Sequence, residues 1–178
     1  KRRLKVGTFK VESTGFRLGE RFIKIIFDNA LQRKVDEIYV TLFTDRVELL
    51  ALEELLNRWG FVFHGIKHNG EQEEKVLVKH MHTMIDGATP KLNYPNFSYS
   101  CSKFILPIMP QYHTTLLPDS QLNSENRIDF LGREPHRYAL QKVYISWAST
   151  NGAKPGDLIL FYRMGVSGEN KKYKSVVS

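Results

Sequence analysis

The residues whose types and spacing best suit a chemical role form a glycine-containing turn that runs from Thr14 to Glu20. An alternating apolar stretch precedes this turn, and helical spacing of apolar residues follows it. A turn between a strand and a helix aims backbone N–H groups and the positive end of the helix dipole at one point, which suits a phosphate or a pyrophosphate. We therefore predict a phosphate-binding turn made by Thr14, Gly15, Phe16, Arg17, Leu18, Gly19 and Glu20.

The elements that would hold this turn can be predicted from apolar periodicity. Leu4 and Val6 alternate, and Phe9 and Val11 alternate one residue out of phase with them. This phase shift indicates either a β-bulge or a strand with one exposed phenylalanine. A helix is predicted over residues 19–34, because its apolar residues recur at helical spacing.

A second strand, a second helix and a hairpin are predicted to follow. Residues 38–43 are rich in β-branched and aromatic residues, which is typical of a strand buried on both faces. Thr44-Asp45 is predicted to cap the next helix, and Gly60 to end it. Strands over 61–66 and 75–81 then flank a reversal at Asn69-Gly70. The first half is therefore predicted to be an α/β layer.

These elements resemble the C-terminal half of the GNAT acetyltransferase fold over about residues 4–81. Gly19 matches the last small residue of the family's Arg/Gln-x-x-Gly-x-Gly/Ala loop, and Gly60-Phe61 matches its closing pair. The resemblance implies that acetyl-CoA, or another acyl-CoA, is bound for acyl transfer to an amine. The backbone near Phe9 and Val11 would pair with the pantetheine arm, and the turn's amides would hold the pyrophosphate.

Three positions depart from the family's pattern. Thr14 stands where the loop usually has Arg or Gln, and Arg17 stands where its middle glycine would be. Leu56 replaces a tyrosine that serves in the family as the acid toward the leaving thiolate. No catalytic residue is therefore assigned.

The second half lacks a helical period and is predicted to be a mainly β unit. Residues 88–102, with prolines, Asn and Ser, are predicted to be a linker between domain 1–87 and domain 103–178. The runs 142–147 and 154–163, with a Pro-Gly-Asp turn before an apolar strand, resemble the PUA-like barrels that include EVE and ASCH domains. This resemblance implies a barrel, incomplete at its end, that binds RNA or modified bases in DNA.

Five residues of these runs are candidates for nucleic-acid contact. Aromatic rings could stack on bases and basic side chains could contact phosphates. The alternative is that the aromatic members belong to the barrel core, and both possibilities stay open. The candidates are Lys142, Tyr144, Ser146, Trp147 and Arg163.

Metal binding is the weaker interpretation of the histidines. His80 and His82 would share one face of a strand, and Cys101 and His113 could join them. No further ligand repeats their spacing, so we expect surface histidines and no metal.

Composition favours a cytoplasmic protein with a net charge of +7 and a single cysteine, and no apolar run is long enough for a bilayer. Basic residues concentrate in 1–34 and 88–178, where phosphates of a cofactor or of nucleic acid could meet them. Because the chain starts without methionine and ends in a strand-like run, we expect a piece of a longer protein, with a possible upstream domain.

Three functions follow as hypotheses. The first is a GNAT-like N-acyltransferase module joined to a nucleic-acid-binding PUA-like module. The alternative is a non-catalytic protein that binds RNA or a modified base, with a degenerate acetyltransferase scaffold. The third is a regulatory module for a catalytic domain further upstream.

Overall fold

A computed structural model describes residues 1–7, 18–120, 135–145, 152–165 and 175–176. The chain divides into two compact units. The first comprises residues 1–14 and 22–98, and the second comprises residues 15–21 and 99–178. Residues 88–98, which we predicted to be part of a linker, thus belong to the first unit.

The first unit contains a four-stranded mixed sheet. Its strands are β1 (Arg3–Val6), β2 (Glu37–Phe43), β3 (Val62–Asn69) and β4 (Gln72–His80), in the order β1-β2-β4-β3. β1 and β2 are parallel, whereas β2 pairs antiparallel with β4 and β4 with β3. The predicted mixed α/β class is therefore confirmed.

Two helices accompany this sheet. α1 (Leu18–Gln32) connects β1 to β2, because parallel neighbours need a crossover connection. α2 (Leu50–Arg58) connects β2 to β3. α1 buries a stripe at helical spacing, as its sequence predicts, and the stripe is formed by Ile23, Ile26, Phe27 and Ala30.

The core of the first unit lies on the helix-bearing face of β2 and β4. Ile38 pairs with Lys79 and Val40 pairs with Leu77 across the ladder. Phe27 meets this face, with its ring centroid 6.4 Å from that of Trp59 and 6.3 Å from that of Phe61. α1 and the end of α2 therefore share one apolar layer.

Gly60 ends α2 as the sequence predicts. Its φ is +81°, its N–H donates to the Asn57 carbonyl, and the Phe61 N–H donates to the Leu56 carbonyl. These two bonds form a Schellman motif, in which glycine accommodates the left-handed backbone without a Cβ penalty.

The predicted cap at the start of α2 was wrong. The helix follows a 3-10 turn, Val47–Leu49, preceded by Arg46 without a side-chain capping bond. The Thr44 hydroxyl donates instead to the Glu73 carbonyl at 3.3 Å. This hydroxyl fastens the end of β2 to the neighbouring strand and is not directed at a helix terminus.

The predicted hairpin is present. β3 and β4 are joined by the two residues Gly70 and Glu71, and the ladder shifts register between Phe63 and Gly65. β3 forms an edge of the described sheet, and Val62 and Phe63 at its beginning are exposed.

The second unit contains a three-stranded sheet in the order β5-β6-β7. β5 (Lys103–Ile108) is parallel to β6 (Leu158–Arg163), and β7 (Ser175–Val176) is antiparallel to β6. Pro107 lies on the edge strand β5, where the lack of an N–H is tolerated. Within the part of the chain that the structure describes, these strands do not close into a barrel.

Two segments of this unit differ from the expectation. Residues Pro90–Asn93 of the first unit form a short helix, α3, and residues Pro110–Leu116 of the second unit form the next helix, α4. Pro110 occupies the first turn of α4. Residues 140–145 are not a strand. Their exposure nevertheless alternates, with Val143 and Ile145 exposed and Lys142 and Tyr144 half-buried.

None of the helices in the described ranges has the length and apolar content that crossing a membrane requires.

The contact behind Gly60 gives a stability prediction. An added Cβ would lie 2.6 Å from the Lys79 Nζ and closer still to the Leu92 carbonyl oxygen, so Gly60→Ala must displace both of them. Gly70→Ala is the matched control, because Gly70 also has positive φ but open space around an added Cβ. We expect urea unfolding to show a loss of about 1 kcal/mol for the control and roughly 3 kcal/mol for Gly60→Ala. Equal losses would mean that the close approach carries no energy.

Candidate functional site

The amino end of α1 is the described part of the predicted phosphate-binding turn. Leu18, Gly19 and Glu20 form the beginning of this helix, and all three are half-buried. The first turn of a helix leaves N–H groups without intrahelical acceptors and carries a partial positive charge. The other predicted cofactor-binding residues lie outside the described residues, namely Phe9, Val11, Thr14, Gly15, Phe16 and Arg17.

Charged side chains of this first turn have partners within the second unit. The Gln141 backbone N–H donates to Glu20 Oε2 at 3.4 Å. The Arg21 guanidinium lies 4.7 Å from the centroid of the Tyr138 ring. A carboxylate in the first turn interacts favourably with the helix dipole, so Glu20 would compete with an anionic ligand for the same positive potential.

Leu56 is part of the core. Its side chain is fully buried near the end of α2. The position at which the resemblance would place a proton donor therefore faces the protein interior in this chain, and it supplies an apolar side chain. No acid for a leaving thiolate can come from here.

Three of the five predicted nucleic-acid-binding residues lie in the described part of the second unit. The Tyr144 ring packs edge-on against Phe161, with centroids 5.9 Å apart. The Lys142 Nζ donates to the Arg137 carbonyl, and Arg163 is the half-buried last residue of β6. Ser146 and Trp147 lie outside the described residues. The packing of Tyr144 supports a structural role for its ring.

Two carboxylates at the start of β2, those of Asp36 and Glu37, contact basic side chains. Glu37 is buried and accepts from Lys1 and from Arg3 Nε at 3.0 Å, and the His80 Nδ1 lies 3.0 Å from it. The hydrogen bond from Lys1, helped by Arg3, lowers the pKa of Glu37 below its usual value. His82 lies 3.4 Å from Asp36. His80 and His82 thus contact different carboxylates.

The described histidines and carboxylates do not converge on one point. Over the described residues, no three side chains of His, Cys, Asp or Glu are placed to hold one metal ion. His113, proposed with Cys101 as a possible further ligand, is fully buried in α4.

Sequence reasoning missed Lys79, the most unusual ionisable group of the first unit. Its side chain is only 3% exposed, and its Nζ donates to the Leu92 carbonyl at 2.6 Å. Burial lowers the pKa of Lys79 to about 8. The alternation of the strand could have indicated this burial, because Lys79 lies two residues after Leu77 and therefore shares its inward face.

Comparisons of the chain with protein-family models, with curated proteins and with solved structures found no match.

The role of the Tyr144 ring can be tested by stability. Tyr144→Phe keeps the contact with Phe161, so we expect almost no change in the free energy of urea unfolding. Tyr144→Ala removes the half-buried ring and should cost roughly 1–3 kcal/mol. Tyr112→Ala serves as the control, because Tyr112 is more than half exposed in α4. If Tyr144→Ala cost no more than the control, the ring would not be a packing residue, and a base-stacking role would gain support.

Proposed function

We propose that the first unit belongs to an acyl-CoA-binding module of the GNAT type, which transfers an acyl group to an amine. The observation that carries this proposal is the order and pairing of its elements. β1, α1, β2, α2 and the β3–β4 hairpin follow one another in a single mixed sheet, with β1 and β2 parallel. This is the succession of strand, helix, strand, helix and hairpin that the resemblance implies.

The proposed pyrophosphate site is the segment that leads from β1 into α1. In a strand–helix crossover, the backbone N–H groups of the first helical turn are directed toward this segment, and they are suited to phosphate oxygens. Gly19 leaves the first turn of α1 without a side chain at that position, which allows close approach. Arg17 and Arg21 would add positive charge, and Phe9 and Val11 would pair with the pantetheine arm.

Binding at this site requires the first turn to change its partners. The Glu20 carboxylate must lie away from the phosphates or be neutralised, since like charges repel at close range. Arg21 must exchange its contact with the Tyr138 ring for a phosphate oxygen. Both requirements follow from the contacts that these side chains make in the structure.

The chemistry of the proposed reaction is acyl transfer. Acyl-CoA would supply a thioester carbonyl that an uncharged amine attacks. The new C–N bond forms, the C–S bond breaks, and the amine's proton is lost as the thiolate leaves. We assign neither the base nor the acid to a residue, because the buried Leu56 provides no proton donor.

The second unit is proposed to bind nucleic acid as a PUA-like module. The run 154–163, which carries part of the resemblance, contains β6, and β6 pairs with β5. Lys142 and Arg163 would contact phosphates, while Ser146 and Trp147 would contribute from the adjoining run. The closed barrel is part of this proposal.

The alternative function is binding without catalysis, and two observations favour it. Leu56 is a core residue, and Glu20 places a negative charge in the first turn of α1. In this alternative the acetyltransferase-like scaffold has lost its cofactor, and the second unit recognises RNA or a modified base. Affinity for single-stranded RNA that falls steeply with salt would support it.

The acyl-CoA proposal predicts a specific calorimetric result. Titration of acetyl-CoA should show micromolar binding that Gly19→Trp abolishes, because the indole would fill the space next to the first-turn amides. Gly65→Trp is the matched control, since an added Cβ at Gly65 has no atom within 4 Å and the backbone there is extended. The control should bind as the native protein does.

Two further outcomes separate the alternatives. If Arg17→Gly bound acetyl-CoA while the native chain did not, the site would be one that Arg17 has closed. Absence of binding in the native chain and in Arg17→Gly would contradict the proposal and favour the nucleic-acid-binding alternative.

A further inference from the structure

Residues 85–96, which we call the strap, fold back onto the first unit. The Asn93 side chain holds the strap's beginning, because it accepts from the Ile85 N–H at 2.8 Å and donates to the Ile85 carbonyl at 2.9 Å. The Asn96 side chain donates to the Met81 carbonyl at 3.0 Å. The bonds between Asn93 and Ile85 thus close the strap on itself around α3, and the bond from Asn96 ties its end to Met81.

The underside of the strap covers aromatic rings. The Tyr94 ring lies 5.2 Å from Phe27 and 5.8 Å from Trp59 between centroids, both edge-on. The Lys91 ammonium lies 4.7 Å from the centroid of Trp59. Trp59 is almost completely buried as a result, so displacement of the strap would bring its indole ring into contact with water.

The strap closes over a buried amine. The Lys79 Nζ donates to the Leu92 carbonyl in α3 at 2.6 Å and lies 6.0 Å from the centroid of the Phe27 ring. No carboxylate pairs with this amine among the described residues. A buried ammonium without a counter-charge is unfavourable, because one carbonyl replaces only part of its hydration.

The other ionisable groups of the packed elements act on the strap's own side chains. α1 brings Asp28 and Lys24 toward Tyr94, whose pKa is raised by burial and then by Asp28. Lys91 lies against Trp59. For Lys79 the one cause of the lowered pKa is burial. Because the pKa of Tyr94 is raised and that of Lys79 is lowered, the proton linked to closure between pH 7 and pH 9 is the one on Lys79.

We propose that the strap is a proton-linked closing element, in which closure buries Lys79 and opening hydrates its charged form. A charged Lys79 favours opening, and a neutral Lys79 favours closure. This device is independent of acyl-CoA binding, and it would control exposure of the aromatic cluster formed by Phe27, Trp59 and Tyr94.

The direction of the pH effect follows from linkage. The pKa of Lys79 is about 8 in the closed state, and a hydrated lysine has a pKa of about 10.4. The open state therefore holds more protons between these values, and closure becomes more favourable as the pH rises. From pH 7 to pH 9 the opening equilibrium should fall by about tenfold.

Hydrogen exchange of the strap amides measures this equilibrium. The N–H groups of Leu92, Asn93 and Tyr94 donate to the carbonyls of Thr89 and Pro90. A helix of four residues cannot persist alone, so these bonds should break when the strap opens. After correction for intrinsic exchange, we expect their protection to rise about tenfold between pH 7 and pH 9.

Matched variants assign the effect to Lys79. In Lys79→Met the protection should be independent of pH, whereas Lys67→Met, at a half-exposed lysine of β3, should retain the tenfold rise. A rise that persists in Lys79→Met, or no rise in the native protein, would overturn the proposal.

A second variant keeps the test independent of how well Lys79→Met folds. Gly60→Ala places a methyl group against both the Leu92 carbonyl and the Lys79 Nζ, while residue 79 remains a lysine. It should lower the hydrogen-exchange protection of the strap amides, while the amides of β2 and β4 remain protected. Retained strap protection in Gly60→Ala would show that the strap does not open separately, and it would contradict the proposal.

Discussion

The antiparallel pairing of β2 with β4 is the constraint on which the first unit depends. Seven residues of β2, from Glu37 to Phe43, pair with residues 74–80. This ladder fixes which side chains face the helices, because a shift of one residue would turn every side chain to the other face. It places Lys79 opposite Ile38 inside the apolar layer and His80 opposite Glu37 outside it.

Several features depend on that register. With Lys79 turned inward, the unit needs an acceptor above the amine, and the Leu92 carbonyl of the strap provides one. Gly60 must then remain a glycine, since it lies beneath the same carbonyl and the same amine. A buried lysine, a Schellman glycine and a packed strap are thus parts of one arrangement.

The sequence predicted those features that local chemistry determines. The spacing of Phe22 to Leu31 indicated α1, the β-branched run indicated β2, and Gly60 marked the end of α2, because each signal is carried by neighbouring residues. The strap could not be predicted from the sequence, since its prolines and asparagines are typical of a linker. Its order depends on contacts such as the hydrogen bond between Asn93 and Ile85, which the sequence does not indicate. Likewise, α4 has too few apolar residues to show a helical period, and residues 140–145 alternate in sequence but do not form a strand.

The candidate site was predicted only in part for a related physical reason. The glycines and the helical spacing of apolar residues point to the amino end of α1. The partners of Glu20 and Arg21, however, are residues 138–141, which lie more than one hundred positions further along the sequence. Such contacts decide whether positive potential is available to a ligand. The proposed function therefore depends on whether those contacts can be exchanged for phosphate oxygens.

The segment between β1 and α1 is proposed to bind acyl-CoA, and amide NMR of the ¹⁵N-labelled chain during titration with acetyl-CoA tests this proposal. We expect saturable shifts that are largest for residues 7–21, with the β3–β4 hairpin unaffected. Shifts confined to residues 99–178, or no shifts at millimolar acetyl-CoA, would contradict it.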